Sequence, residues 1–400
     1  MTKITDIPAI RFKGFSDTWE QRKVGDLLIE RNQQAPMSDE YPLMAFIANE
    51  GVAPKGDRYD RSALVTDTAN KLYKKTEIGD FIYSSNNLET GSIGLNKYGK
   101  ACISPVYSIF EPTGIADSDF LGRRLVRKDF INAMVKWRQG VIYGQWRIHE
   151  SDFLKIEIPV PSVVEQRKIG AYLDQLDRLI TLHQRKYDKL TNVKKSMLGK
   201  MFPQNGSNVP EIRFKGFTEA WEQRKLGEIG SVSMCRRIFK EQTSENGEIP
   251  FYKIGTFGGE ADAFISRELF EEYKAKYQYP KKGDILISAS GSIGRTVVFT
   301  GKNEYFQDSN IVWLNHDKHL DNSFLKCFYS IVKWAGIEGS TIKRLYNDNI
   351  LNTAITLPSV EEQQKIGAYF ENLDNLITLH QRELEKLKNL KKACLEKMFV

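Results

Sequence analysis

EQRKIGAYLDQLDRLITLHQRK at residues 165–186 recurs as EQQKIGAYFENLDNLITLHQRE at residues 362–383, with 16 of 22 positions identical. Around each copy, apolar side chains recur at steps of three and four residues, the pattern of a helix face that packs as a coiled coil. These positions are Ile169, Leu173, Leu176, Ile180, His183, Tyr187, Leu190 and Met197 in the first copy, and Ile366, Phe370, Leu373, Ile377, His380, Leu384, Leu387 and Cys394 in the second. The repeat therefore predicts two long, equivalent helices.

Each helix is predicted to follow a Pro-Ser pair, whose serine can cap the first turn while a glutamate three residues later completes a capping box. About 38 residues at 1.5 Å per residue make a helix roughly 57 Å long. Such a helix overhangs a domain of about 160 residues and therefore needs a partner along its apolar seam. We expect the two helices to pack antiparallel with pseudo-two-fold symmetry, as a spacer of fixed length between two domains at its opposite ends.

A second repeat lies upstream of each helix. IPAIRFKGFSDTWEQRKVGDL at 7–27 recurs as VPEIRFKGFTEAWEQRKLGEI at 209–229, with 13 of 21 positions identical. The sequences between the repeats differ almost completely, which favours a scaffold presenting two different specificities over a duplicated enzyme with one decayed copy. We predict a mixed α/β (α+β) tandem repeat with these segments: recognition domain 1 at 1–162, spacer helix 1 at 163–202, a linker at 203–208, recognition domain 2 at 209–359 and spacer helix 2 at 360–400.

Composition limits the class of protein. The 400 residues are 41% hydrophobic and 27% charged, as in ordinary globular domains, and the net charge of +7 permits a polyanionic partner without requiring one. The four cysteines lack the spacing of a zinc site or a disulfide framework, so we predict free thiols in a reducing compartment and no bound metal. No signal peptide or membrane-spanning run is visible, and we therefore predict a cytoplasmic location.

The tetrapeptide Gly-Ser-Ile-Gly occurs in both variable domains, at 91–94 and 291–294, each time after a strand-like run. Such a loop offers backbone amides and small hydroxyls that can approach a phosphate or a base edge, although an ordinary β-turn explains it equally well. The candidate DNA-contacting residues here are Ser84, Ser85, Asn86, Asn87 and Ser92 in the first domain, and Ser288, Ser290, Ser292 and Arg295 in the second.

A second candidate loop lies just before each helix, where Arg147 and Arg344 align without gaps. Arginine can hold a phosphate or hydrogen-bond guanine through two donors, but pairing with a local carboxylate such as Glu150 or Asp348 is equally compatible with the sequence. Glutamine can bond adenine, and aromatic rings offer stacking surfaces. The candidate DNA-contacting residues of these loops are Tyr143, Gln145, Trp146 and Arg147 in the first domain, and Lys343, Arg344 and Tyr346 in the second.

Motifs for catalysis are not evident in the sequence. Residues 94–100 fit the pattern GxxxxGK, but Ala101 stands where a magnesium-binding serine or threonine is needed, and the second copy lacks the match. We interpret this match as accidental. Neither an adenine-methylation tetrapeptide of the (Asn/Asp)-Pro-Pro-(Tyr/Phe) type nor a convincing set of nuclease carboxylates is visible, so we predict a chain without catalytic residues.

The tandem EIRFKGF…WEQRKLGE, GDIL…SGSIG and EQ-KIG…LD-LITLHQR segments closely resemble the specificity (S) subunits of type I restriction-modification enzymes, over essentially the whole chain. The resemblance implies two target-recognition domains, each reading one half of a bipartite site in double-stranded DNA. It also implies two methyltransferase (M) subunits docked on the helices and two restriction (R) subunits in the assembly. S-adenosylmethionine (AdoMet) would be bound by M, and ATP and magnesium mainly by R, with no cofactor in this chain.

The resemblance leaves two roles open for the helix starts, which are contact with M or structural capping. The candidate residues for docking and for the spacer are Glu165, Gln166, Lys168, Ile169, Leu176 and Ile180 in the first helix, and Glu362, Gln363, Lys365, Ile366, Leu373 and Ile377 in the second. The alternative to a DNA-specificity subunit is a coiled-coil scaffold or adaptor without DNA specificity of its own.

Overall fold

A computed structural model of the chain describes residues 7–54, 71–142, 145–204, 206–336 and 344–400, without the side chains of 140–142 and 145. The described residues form two compact units. Unit 1 combines Met1–His183 with Glu383–Val400, and unit 2 is Gln184–Arg382. Both units mix helices and strands, which confirms the predicted α+β fold class. Each unit also contains a part of both long helices.

The secondary structure of unit 1 lies mostly upstream of the first long helix. Its elements in chain order are β1 (Glu20–Lys23), α1 (Val24–Leu27), β2 (Leu28–Glu30), β3 (Gln34–Ala35), β4 (Ala45–Ile47), β5 (Gly51–Ala53), β6 (Tyr73–Thr76), β7 (Phe81–Tyr83), β8 (Ile93–Leu95), β9 (Ala101–Ile103), β10 (Ser108–Pro112), α2 (Ser118–Arg124), α3 (Lys128–Val135), β11 (Gln139–Ile142), β12 (Gln145–Arg147), α4 (Glu150–Phe153), β13 (Glu157–Val160) and the start of α5 (Val163–Lys200).

The elements of unit 2 follow the end of α5. They are β14 (Glu222–Lys225), α6 (Leu226–Ile229), β15 (Gly230–Ser233), a 3-10 turn (Lys240–Gln242), β16 (Ile249–Tyr252), β17 (Phe264–Ile265), α7 (Arg267–Lys276), β18 (Ile285–Ser288), β19 (Thr296–Val298), β20 (Tyr305–Phe306), β21 (Ile311–His316), α8 (Asn322–Tyr329), α9 (Asn347–Leu351), β22 (Ala354–Leu357) and the start of α10 (Val360–Lys397).

The same sheet frame recurs in both units. A four-stranded antiparallel sheet has the order β2-β10-β7-β8 in unit 1 and β15-β21-β18-β19 in unit 2. In each unit the exposed strand with the sequence EQRK pairs with the strand that leads into a long helix, as β1 with β13 and β14 with β22. Because β7 and β18 are buried throughout, their phenylalanine, isoleucine and leucine side chains anchor the core beneath the loops that follow them.

The long helices pack antiparallel within unit 1. Asp177 of α5 contacts Lys391 of α10 at 2.5 Å, and earlier in α5 the Tyr172 side chain contacts Cys394, which lies later in α10. Asp177 also pairs with Arg123 of α2 at 2.9 Å. Burial opposes ionisation of Asp177, but its hydrogen bonds and the two nearby positive charges hold the pKa of the carboxyl below its usual value.

Unit 2 repeats this ion-pair cluster with equivalent residues. Asp374 of α10 contacts Lys194 of α5 at 2.5 Å and Lys326 of α8 at 3.1 Å. Asp374 matches Asp177 in the helix repeat, and Lys194 matches Lys391. The register of the two helices is therefore the same in both units, as the seam pattern of the repeat predicts.

Each core is closed by the end of a helix that begins in the other unit. Phe399, just after α10, stacks on Phe120 with ring centroids 5.3 Å apart and meets Trp19 edge-on at 6.5 Å. In unit 2 the equivalent ring is Phe202, just after α5, which lies 5.1 Å and 5.9 Å from the matching phenylalanine and tryptophan. The tripeptide Lys-Met-Phe, which occurs at the end of both helices (200–202 and 397–399), is thus a core element, and each unit needs both helices to complete its apolar interior.

Candidate nucleic-acid interface

In unit 1 the two loops singled out in the sequence meet, although about 60 residues separate them. The loop after β7 turns at Ser85, whose hydroxyl accepts a hydrogen bond from the Ile148 amide at 3.0 Å. Ile148 follows β12, so this bond ties the β11–β12 hairpin to the end of the sheet. Ser85 and Asn86 then line one cleft together with Trp146 and Arg147.

This cleft has a volume of about 840 Å³, and several residues that line it were not among the predicted DNA contacts, although Glu150 was named as a carboxylate that could pair with Arg147. They are Lys74, Pro105, Val106, Tyr107, Ser108, Gln139, Ile148, His149 and Glu150. Lysine, arginine, amide and aromatic groups are the ones that contact phosphates, base edges and base faces. Lys74 and Ser108 lie on strands that were not connected to the predicted loops, so local sequence patterns carried no signal for them.

Glu150 is the acidic residue of the cleft, and its carboxylate accepts a hydrogen bond from the Ser108 hydroxyl at 2.8 Å. Arg147 lies 3.8 Å away and is 66% exposed, so this contact leaves most of the guanidinium accessible. Although burial opposes ionisation, hydrogen bonds from its own amide and from Ser108, with the charge of Arg147, lower the pKa of Glu150. The Glu150 carboxylate therefore lies beside Arg147 but leaves its guanidinium accessible to a ligand.

In unit 2 the equivalent loops also meet, but through different contacts. The Leu345 amide, which matches that of Ile148, donates to the Ala289 carbonyl at 2.7 Å, and Ser290 and Arg344 form a β-bridge. Arg344 donates to the Ser309 carbonyl at 2.8 Å. Its guanidinium also lies 5.9 Å from the centre of the Tyr346 ring.

The loop after β18 exposes two more of the predicted residues, Ser292 and Arg295. Ser290 of the same loop donates a hydrogen bond to the Asn310 side chain at 2.8 Å. The guanidinium of Arg295 is held by the Phe257 carbonyl at 2.7 Å. Both predicted loops of unit 2 therefore present polar and cationic side chains on one surface.

Both Gly-Ser-Ile-Gly tetrapeptides need glycine for their backbone geometry: residues 91–94 leave a turn and enter β8, whereas residues 291–294 form a bend and a turn. Gly91 has φ of +94° and Gly294 has φ of +79°, in the left-handed region that other residues rarely adopt. A Cβ atom at Gly91 would lie 2.3 Å from the Asn49 amide oxygen. These constraints explain the tetrapeptide by turn geometry alone, so it does not by itself indicate a ligand.

Three serines that we predicted to contact DNA are instead buried, and the prediction is corrected for them. Ser84, Ser92 and Ser288 are 5%, 8% and 1% exposed. The Ser84 amide donates to the Ser92 carbonyl at 2.8 Å, and the Ser288 hydroxyl accepts from the Arg295 amide at 2.9 Å. Their polar groups close the loops from inside and have little surface left for a ligand.

The remaining predicted loop residues are placed as follows. Asn87 is exposed and follows the turn that contains Asn86, and Trp146, which lines the cleft, is 45% exposed. Gln145 lies in β12, but its side chain falls outside the described atoms. Tyr143 and Lys343 lie outside the described residues.

At the helix starts, the structure shows an interaction that sequence analysis missed. Arg11 donates two hydrogen bonds of 2.7 Å to Glu165, and Arg213 donates two of 2.7 Å to Glu362. These bonds, against the opposing effect of burial, raise the pKa of both guanidinium groups. The signal was present in the repeat, because IRFKGF carries an arginine at the same position in both copies.

The glutamine that follows each glutamate is also used inside the chain. Gln166 accepts from the Asp117 amide at 3.0 Å, and Gln363 accepts from the Asp321 amide at 2.8 Å. Each also donates at 3.0 Å to the carbonyl of the proline before its helix. These contacts hold the strand-to-helix junction against the short helix α2 or α8.

Most of the residues named for docking or for the spacer are used inside the units, which agrees with the structural role that the sequence left open beside docking. Those buried within the units, 1–8% exposed, are Glu165, Gln166, Ile169, Leu176, Glu362, Gln363, Ile366 and Leu373. Ile180 and Ile377 are partly exposed, and Lys168 and Lys365 are exposed. The serines before the helices accept from the glutamate amides at 3.4 and 3.3 Å, in agreement with capping.

Among the described residues, no group of three or more histidine, cysteine, aspartate and glutamate side chains could hold a metal ion. No helix in the described part of the chain is long and apolar enough to cross a membrane. All four cysteines are buried and free.

Comparison with known proteins gives concordant matches. The family model described as the type I restriction modification DNA specificity domain matches residues 16–192 and 218–389. A putative type I restriction enzyme specificity subunit from Haemophilus influenzae is 60% identical over 158 residues, which are 38% of this chain and 41% of that relative. The type I restriction enzyme MjaVIII specificity subunit from Methanocaldococcus jannaschii is 22% identical, over 94% of this chain and 91% of its own.

Among solved structures, the S subunit of a type I restriction-modification system from M. genitalium matches with a TM-score of 0.61. The match covers 98% of this chain and 99% of that chain at 15% identity. At this identity the likeness shows a shared fold.

Proposed function

The chain belongs to the type I restriction modification DNA specificity family, as its sequence motifs predicted, and on that premise we propose that it selects the DNA target of a type I restriction-modification complex. Each recognition domain reads one half of a bipartite site, and the helices set the spacer between the halves. The observation that carries this proposal is the convergence of the same two loops in both domains, with different side chains at equivalent places. No observation favours the scaffold without DNA specificity.

In this proposal the chain itself performs no catalysis. Two M subunits bind AdoMet and methylate adenine, while two R subunits use ATP and magnesium. The chain contributes recognition surfaces, which hold basic and aromatic side chains, and a helical frame that joins them. Measurable binding of AdoMet by the purified chain alone would contradict this division of roles.

The methylome of cells that express this chain with its M partner tests the proposal directly. We expect one asymmetric bipartite motif, with adenine methylated in each half, because the two domains present unlike side chains. The control is the M partner expressed without this chain, which should leave the motif unmethylated. A continuous palindromic motif contradicts two independent half-site readers, and unchanged methylation supports an adaptor instead.

Substitution of the two aligned arginines, one at a time, tests recognition of each half-site independently. Arg147→Ala is expected to weaken or relax recognition of one half by about 1–3 kcal/mol, and Arg344→Ala the other half by a similar amount, if each reads a base. Methylation of site variants by the reconstituted complex measures both effects. Val106→Ala, which changes an exposed apolar residue of the same cleft, is the control for general disturbance. An equal loss on all sequences identifies a phosphate contact and contradicts base readout.

We place M docking on the turn between Phe12 and Phe15 and on the equivalent turn at 214–217, here called the FKGF turns. In both, the phenylalanine at the end lies under a lysine of the helix start, at 4.9 Å from Lys168 and 4.7 Å from Lys365. The middle lysine of each turn is exposed. An exposed lysine contributes little to core packing, so packing does not explain why it recurs in both copies. A partner that binds once to each copy explains the recurrence, because it would contact the same side chain twice.

Charge reversal on one FKGF turn should remove one of two M subunits. Lys13→Glu with Lys168→Glu is expected to reduce the M content of the purified complex from two copies to one per chain, because the repulsive charges are confined to one surface. Native mass spectrometry measures the stoichiometry. The matched control is Lys186→Glu with Lys189→Glu, which reverses two exposed charges farther along α5. Two M subunits retained in the FKGF variant would rule out this surface.

A further inference from the structure

Unit 2 has a strongly basic surface that the sequence motifs did not indicate. Two clefts, of about 770 Å³ and 530 Å³, adjoin one another and share Tyr277 and Gln278 in their linings. Their linings carry one carboxylate, from Asp308, and six cationic side chains. The cations, here called the basic surface, are Arg236, Arg237, Lys274, Lys276, Lys281 and Lys282.

Three separate segments bring these cations together. Arg236 and its neighbour follow β15, one lysine pair lies in the last turn of α7, and the other pair lies between α7 and β18. Lysines in a last turn complement the partial negative charge of a helix C-terminus. Aromatic rings support two of the cations: Arg236 lies 5.2 Å from the Tyr277 ring, and Lys274 lies 5.0 Å from that of Phe270.

Most of this positive charge is available to a ligand. All six side chains are exposed. The ion pairs described for them join Arg237 to Asp308 at 2.9 Å and Lys276 to Glu272 at 2.9 Å. A cluster in which cations outnumber carboxylates in this way attracts a polyanion, and the aromatic supports reduce the conformational entropy lost when the cations bind.

The basic surface is continuous with the candidate interface of the same unit. Arg344 donates to the Ser309 carbonyl at 2.8 Å, and Asp308, the preceding residue, pairs with Arg237. Ser309 has φ of +57°, which places a sharp turn between the two surfaces. A duplex contacting Arg344 therefore has cationic side chains next to the point of contact.

We propose that the basic surface binds the phosphate backbone of the DNA next to the half-site that unit 2 reads. This inference rests on the proposed function, since it assumes that the unit binds duplex DNA. Phosphates are the same at every base pair, so the surface contributes affinity and orientation but no sequence preference. It is thus distinct in role from the loops around Ser290 and Arg344.

The test uses the complex of the full chain with M, and duplexes that carry either the methylated motif or a changed half-site. Let K be the association constant for the duplex. For Arg236→Gln with Lys281→Gln, the negative slope of log K against log salt concentration is expected to become less steep by about two, because each phosphate contact contributes about 0.9. Affinity should fall by the same factor for both duplexes. The matched control is Lys225→Gln with Lys318→Gln, two exposed lysines of unit 2 that line neither cleft.

The possible outcomes discriminate between explanations. A slope equal to that of the control overturns the proposal, and so does a loss confined to the duplex with the intact half-site, which indicates base contacts. Dissociation of M from the variant also overturns it, because the surface then binds a protein. If the unmodified complex does not prefer the methylated motif over other duplexes, the proposed function itself fails.

Discussion

Arg11→Met is expected to lower the free energy of unfolding by about 3–5 kcal/mol, because it leaves the buried Glu165 carboxylate without its partner. Glu165 is 1% exposed, and both of its oxygens accept hydrogen bonds from Arg11. Once the guanidinium is removed, the carboxylate must remain charged in a poorly solvated site or take up a proton. Arg213→Met should have the same effect in unit 2, where Glu362 is equally buried.

Chemical unfolding of the purified variants measures this effect, and two controls separate its causes. Arg11→Met with Glu165→Met removes both charges and should recover much of the loss, because no buried charge remains. Arg22→Met removes an arginine of the same repeat whose pair with Glu20 is exposed, so it should cost about 1 kcal/mol or less. A loss in Arg11→Met no greater than that in Arg22→Met would falsify the structural role of the buried pair.

Phe399→Ala is expected to lower the stability of unit 1 by about 3–5 kcal/mol, the usual cost of removing a buried phenylalanine. The side chain is 4% exposed and lies against Trp19 and Phe120. Because the ring fills the core of unit 1, the opening should begin around its neighbours there.

Hydrogen exchange of the full chain measures the loss of protection in each unit. Protection should fall first in unit 1 for Phe399→Ala and in unit 2 for Phe202→Ala, since each ring closes one core. Leu379→Ala, at a side chain that is 52% exposed on α10, is the control and should change protection little. If Phe399→Ala destabilises both units equally or neither, the assignment of each chain segment to one core is wrong.

The structure brings together residues whose proximity no local pattern indicates. Lys74 of β6 and Glu150 of α4, which are 76 residues apart in sequence, line one cleft together with Arg147. The burial of two predicted loop serines also depends on the tertiary structure. Ser84 and Ser288 look like loop hydroxyls in the sequence, but the sheet turns them inward, and their hydrogen bonds close the loops.

The duplicated helix stretch at 165–186 and 362–383 determined that this protein has two long equivalent helices, and together with the other repeated segments it determined the tandem α+β fold and membership of its family. It could do so because apolar periodicity and repeat identity are local properties that survive without knowledge of distant contacts. Only the tertiary structure decided that Arg11 neutralises Glu165, that Phe399 closes the core of unit 1, and that the two loops of each unit share one surface. These features depend on which distant segments fill the same space, and packing of the whole chain, rather than any single stretch, sets that arrangement.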